Sequence, residues 1–141
     1  MQRKASAVWT GGLRDGKGTI STASGVLKDT QYSFATRFEN GIGTNPEELI
    51  GAAHAGCFSM ALSNELGKAG LTPERIATEA AVSLEKGDTG FSITAVHLTV
   101  KAKVPGATQE QFRTVADAAK AGCPVSRVLN AKITMDASLE S

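Results

Sequence analysis

Only two cysteines occur in the 141 residues, Cys57 and Cys123. Two thiols cannot close a structural zinc site, which takes four ligands. Long apolar runs are missing as well. The longest, Leu49 to Leu62, is too short to span a bilayer and is interrupted by His54 and Ser59. Nor is there an excess charge of one sign: Lys plus Arg is 15 against 14 for Asp plus Glu, a net of +1. That balance gives no electrostatic footprint for nucleic acid or an anionic membrane. The basic start, MQRK, runs into ASAVWTGG rather than an apolar stretch, so no secretory leader is expected and a cytoplasmic location is the default. No internal repeat, low-complexity tract or long linker breaks the chain. The composition, 41% hydrophobic and 21% charged, is that of a soluble globular protein, and the length suits a single domain over 1–141 with a real core.

The punctuation that is present organises the chain. Residues 5–38 read as short strands broken by turns at GGLRDGKG and Ser24-Gly25, with QYSFATRF (31–38) of strand composition. Thr44-Asn45-Pro46-Glu47 offers a capping Thr or Asn, Pro at the first helical position and Glu placed as in a capping box. A helix is expected from Pro46 to Gly67 or Gly70, and its small residues (Gly51, Ala52, Ala53, Ala55, Gly56) predict close backbone approach and burial on several sides. Ile76, Thr78, Ala80, Val82 and Leu84 alternate inward, as do Val96, Leu98, Val100, Ala102 and Val104, and Lys86–Gly90 joins them in a hairpin. Thr108 and Gln111 start a second helix, which Gly122 ends, and Pro124 starts a short third. Ala131 to Leu139 alternates as a last strand. The order predicts an α+β fold with sheet packed on helices.

Both thiols have two readings. Cys57 is mid-helix in apolar company, either a small core residue or a reactive thiol that needs a cation to lower its pKa. Cys123 precedes Pro124 at a helix N-cap, where the dipole favours thiolate, or it marks a break between helices. Arg37 is an exposed edge residue of its strand, or it points inward and needs a carboxylate, for which Glu47 is the candidate; capping alone also explains Glu47. His54 shares a helix face with Cys57 and is a core histidine or a base. His97 is expected to be solvated beside Lys101 and Lys103, and nothing in the spacing of His54, Cys57, Cys123 and His97 selects a metal.

The run TNPEELIGAAHAGCFSMAL, the segment AGCPVS and the upstream TRFE closely resemble the osmotically inducible protein C branch of the OsmC/Ohr family. The likeness extends to GKGTISTASGVL and AGCPVSRVLNAKITMDASL and so spans essentially the whole chain. It implies antiparallel sheets packed around a long buried central helix, in an intertwined homodimer with two active sites at the interface. It implies a thiol-dependent peroxidase, acting on organic and inorganic hydroperoxides in oxidative and osmotic stress defence, without cofactor or metal. Cys57 would be the peroxidatic cysteine, Cys123 the resolving one, and Arg37 with Glu47 the ion pair beside Cys57. A dithiol would be the reductant, with a lipoylated protein as candidate. A non-catalytic redox sensor, a hydrophobic-ligand binder and a structural dimer with inert thiols are the competing classes.

Helix geometry adds a constraint. Glu47 and Cys57 are ten residues apart, about 15 Å of rise. Either the helix breaks near Gly51 or the Arg37–Glu47 pair comes from the other subunit, and the second is expected. The apolar surroundings of Cys57 suggest a preference for bulky alkyl hydroperoxides, with Phe34, Phe38, Phe58 and Met60 as pocket candidates.

Overall fold

Alternation sets the strands and caps set the helices of a computed structural model that describes residues 1–141. Two compact units emerge, Met1–Leu49 and Ile50–Ser141. No helix is long and apolar enough to cross a membrane.

In the first unit β1 (Ala5–Thr10), β2 (Lys17–Thr22) and β3 (Thr30–Tyr32) form an antiparallel sheet in chain order. Gly18 is required beneath the rings of Trp9 and Tyr32, because a Cβ there would overlap both. All six residues of β1 are exposed, and no large apolar side chain of this unit is buried. A three-stranded sheet whose apolar residues are at most half-buried has little to offset its ordering entropy.

Residues 31–38, expected as one strand, divide instead. The strand stops at Tyr32, and α1 (Phe34–Phe38) follows. Ser33 accepts the Thr36 N–H on its side chain, and the Thr36 hydroxyl accepts the Ser33 N–H at 2.8 Å. This reciprocal box nucleates a turn that the strand propensity of the aromatic neighbours does not outweigh. Arg37 therefore sits in the last turn of a helix rather than at the end of a strand.

Helix α2 (Pro46–Lys68) starts where the sequence predicts. Asn45 accepts the Glu48 N–H on Oδ1 at 2.7 Å, and Pro46 occupies the first turn, where a missing N–H costs nothing. With Asn45 as the cap, Glu48 and not Glu47 takes the third position, and its Oε2 accepts from the Thr44 hydroxyl. Glu47 is thereby freed for another partner. The helix runs without interruption through Gly51.

In the second unit β4 (Arg75–Gly87) and β5 (Gly90–Lys103) form the predicted antiparallel hairpin across Asp88-Thr89. The chain then passes through α3 (Gln109–Gly122), which begins with the expected Thr108–Gln111 capping box, and α4 (Pro124–Val128). It returns as β6 (Lys132–Leu139) beside β5. This last pairing is parallel, so the sheet is mixed rather than wholly antiparallel. A helical crossover between neighbouring strands brings the chain back in the same direction. The inward faces of β4, β5 and β6 pack with Phe58, Leu62, Leu66, Phe112, Ala116 and Ala119 in one core.

Over this unit α2 buries a single stripe: Gly51, His54, Phe58, Leu62 and Leu66. Gly51 permits contact with β4, since a Cβ would lie 3.2 Å from the Ala80 carbonyl oxygen. The opposite face, with Ala52, Ala53, Gly56, Met60, Ser63 and Asn64, is exposed. The expectation of burial on several sides is thus corrected within one chain: one side only is covered.

Candidate active site

Burial of the two thiols is the reverse of what the local sequence suggests. Phe58 belongs to the buried stripe of α2, and Cys57, one step around the helix, falls at its margin and is half-buried. Cys123 is fully buried. It closes α3, its N–H donating to the Ala119 carbonyl at 2.9 Å, and it opens α4. Both are free thiols, and Cys123 Sγ donates to Cys57 Sγ at 2.9 Å. A disulfide, with sulfurs about 2.05 Å apart, needs only a small further approach.

Burial pushes the Cys57 thiol above its usual range, and the contact with Cys123 adds to this; the Val125 N–H, directed at the sulfur, opposes both. The free N–H groups expected at the start of α4 thus serve Cys57 and not Cys123, whose side chain makes no cap hydrogen bond. Pro124 at the first position makes Val125 the first residue of that helix with an N–H to give. That role was readable in the Cys-Pro-Val order, though the target of the N–H was not.

Cys57 opens on a groove of about 370 Å³ walled by Met60, Ala61, Ala119 and Pro124, with Asn64 and Glu65 as its polar residues. Of the four apolar candidates Met60 alone lines it. Phe58 is wholly in the core, and Phe34 and Phe38 pack against each other at a tilt in α1 with centroids 4.8 Å apart.

Arg37 and Glu47 meet within the first unit. Arg37 Nε and Nη2 both donate to Glu47 Oε1, at 3.0 and 2.8 Å. The pair converges on one carboxylate oxygen rather than engaging both. Glu47 is buried, Arg37 exposed, and the guanidinium lies 5.4 Å from the centroid of the Phe38 ring. The four candidate residues thus assemble as two pairs, Arg37 with Glu47 and Cys57 with Cys123.

His54 is completely buried, its Nε2 2.7 Å from Ser126 Oγ and its Nδ1 without a partner. His97 is half-buried on β5 and bonds Thr134 Oγ1 and Asp136 Oδ2, so it is less solvated than expected. Burial lowers the His54 pKa, keeping the folded ring neutral. The unfolded chain protonates near pH ~6.5 and binds the extra proton as pH falls. His54 therefore contributes stability that is present above about pH 6.5 and is lost as pH falls toward the folded pKa. Thermal midpoints measured from about pH 7.5 down to about pH 5.5 should drop further for the wild type than for His54→Gln; parallel curves would show that the ring is not neutral because of burial.

A family model described as "OsmC-like protein" matches residues 39–138. The chain is 56% identical to "Peroxiredoxin OsmC" of Escherichia coli (strain K12) over 141 residues, covering 100% of this chain and 99% of the relative. It is 28% identical to the "Organic hydroperoxide resistance protein" of Xanthomonas axonopodis pv. citri (strain 306), over 96% of this chain and 92% of that one. The crystal structure of the organic hydroperoxide resistance protein OhrB of Bacillus subtilis superposes with a TM-score of 0.70 at 26% identity, covering 96% and 98% of the two chains.

Proposed function

The chain belongs to the OsmC-like protein family, and we propose that it is a thiol-dependent peroxidase for organic hydroperoxides, with Cys57 as the attacking sulfur and Cys123 as the resolving one. The observation that carries this reading is the thiol pair itself: two free cysteines 2.9 Å apart, of which only Cys57 opens on a groove.

The Cys57 thiolate attacks one peroxide oxygen; the O–O bond breaks, leaving Cys57 sulfenic acid and, after one proton is taken up, an alcohol. The Cys123 thiol then attacks the sulfenic sulfur, forming the disulfide and releasing water. An external dithiol reduces the disulfide and is itself oxidised to its disulfide, a lipoylated protein being the candidate reductant.

Arg37 supplies what Cys57 lacks. Within the chain burial raises the thiol pKa, the wrong direction for a nucleophile, so a fixed cation is needed at the sulfur. The guanidinium is charged at all working pH, and Glu47 holds it by its Nε edge, leaving the rest of the fork to reach thiolate and peroxide. Because α2 is unbroken, Glu47 on the same helix is about 15 Å of rise from Cys57. We assign the pair at each thiol to the partner subunit of a homodimer. The wholly exposed strand β1 and the exposed small-residue face of α2 support such an assembly.

The apolar walls of the groove favour an alkyl group over water. In a dithiol-coupled assay, kcat/KM for cumene or tert-butyl hydroperoxide should exceed that for hydrogen peroxide by about tenfold or more, the worth of a few buried methylenes. A higher value for hydrogen peroxide would overturn the substrate assignment. Stoichiometric oxidation without turnover would replace the enzyme by a redox sensor.

A further inference from the structure

Two parallel rungs join α2 to α4. One is Cys57 to Cys123; the other is His54 to Ser126. Each rung's partners are three residues from those of the other, 54 and 57 on α2, 123 and 126 across the cap and first turn of α4. The His54–Ser126 rung, at 2.7 Å, is enclosed at one end: His54 is fully buried, Ser126 is half-buried, and Nε2 meets the Ser126 hydroxyl 72 residues away in sequence. Helix α4 has only five residues and no buried residue of its own. Such a short helix is held in register by few groups, and a polar bond from the buried His54 of α2 is a directional one. The orphaned Nδ1 points to the tautomer with the proton on Nε2, since an unpaired buried acceptor costs less than an unpaired buried N–H. In that arrangement Nε2–H donates to Ser126 Oγ.

We infer that His54 and Ser126 are positioning residues for the resolving step: their hydrogen bond holds the Cys123 end of α4 against α2, so that Cys123 meets the Cys57 sulfenic acid before a second hydroperoxide does. The inference rests on the peroxidase reading. The competing step is explicit in its balance: Cys57 sulfenic acid plus a second hydroperoxide gives sulfinic acid and an alcohol, whereas Cys57 sulfenic acid plus the Cys123 thiol gives disulfide and water. The rung acts on the second of these more than on the first attack, in which the Cys57 sulfur reacts without Cys123 and α4 contributes only the Val125 N–H.

The test treats wild type, Ser126→Ala, Ser126→Thr and His54→Gln with a graded excess of cumene hydroperoxide, without reductant. Acid-quenched intact mass reads the split between disulfide and Cys57 sulfinic acid, while peroxide loss in the first turnover reads the initial attack. Ser126→Ala and His54→Gln should raise the ratio of sulfinic acid to disulfide about tenfold at a given excess, the loss expected for one hydrogen bond's worth of positioning. Their first-turnover rates should change far less, and Ser126→Thr, which keeps the hydroxyl, should restore the wild-type split. An unchanged split in both lesions, or equal slowing of both steps, would overturn the assignment. A wild type that consumes no hydroperoxide would instead remove the peroxidase reading, and this inference with it.

Discussion

Cys57→Ser should abolish hydroperoxide consumption, lowering kcat/KM by on the order of 10³-fold or more, because no other group in the groove can serve as the nucleophile. The seryl oxygen is of similar size and keeps the position at the margin of the buried stripe, so the loss should come without a large change in thermal midpoint. Cys123→Ser should behave differently. It leaves the attacking sulfur, and one equivalent of hydroperoxide should still be consumed per site. Turnover with a dithiol should then stall or depend on direct reduction of the sulfenic acid, and excess hydroperoxide should drive Cys57 to sulfinic acid. Equal loss of the first turnover in both variants would mean that the two thiols do not divide the work as assigned.

The second large effect concerns Arg37. Its replacement by alanine should lower kcat/KM by about 10²–10³-fold, the usual cost of losing one charged donor at a reacting centre. It should also raise the pH needed for alkylation of Cys57, since burial and Cys123 then act on the thiol without a cation to oppose them. Removing Arg37 leaves Glu47 buried without its partner, so Arg37→Lys is the gentler companion variant. A lysine keeps the charge but loses the planar fork, and partial recovery is expected. Mixed dimers of Cys57→Ser with Arg37→Ala subunits distinguish the source of the arginine. If the partner supplies it, each mixed dimer regains one working site from two inactive parents. No recovery on mixing would place Arg37 in the same chain as the thiol it serves.

Several of these features were readable in the sequence because they rest on local chemistry. The hairpin follows from alternation on both sides of Gly87 and Gly90, and α3 from the Thr108–Gln111 box, and both form as expected. The pairing of Arg37 with Glu47 was one of two readings open in the sequence, the other being an exposed Arg37, and the structure holds both: the ion pair forms and Arg37 is exposed. The residues that misled did so for identifiable reasons. Phe34–Phe38 has strand composition, but the Ser33–Thr36 box decides its conformation through two reciprocal hydrogen bonds. Which face of α2 is buried was hidden because Ala and Gly occur all around it, leaving little amphipathic contrast. So Cys57 looked buried when it is half-exposed, while Cys123, placed by a break between helices, is the one sealed in the core. The His54–Ser126 bond, closing a gap of 72 residues, has no local signature at all.

The most direct measurement is intact mass after one equivalent of cumene hydroperoxide per chain, followed by peptide mapping. Wild type should lose two hydrogen atoms and yield a Cys57–Cys123 crosslinked peptide. Cys123→Ser should gain one oxygen, on Cys57, trapped by a sulfenic-acid reagent, and Cys57→Ser should remain unchanged. Oxidation of Cys123 in the Cys57→Ser protein, or a wild type that leaves the hydroperoxide intact, would contradict the account.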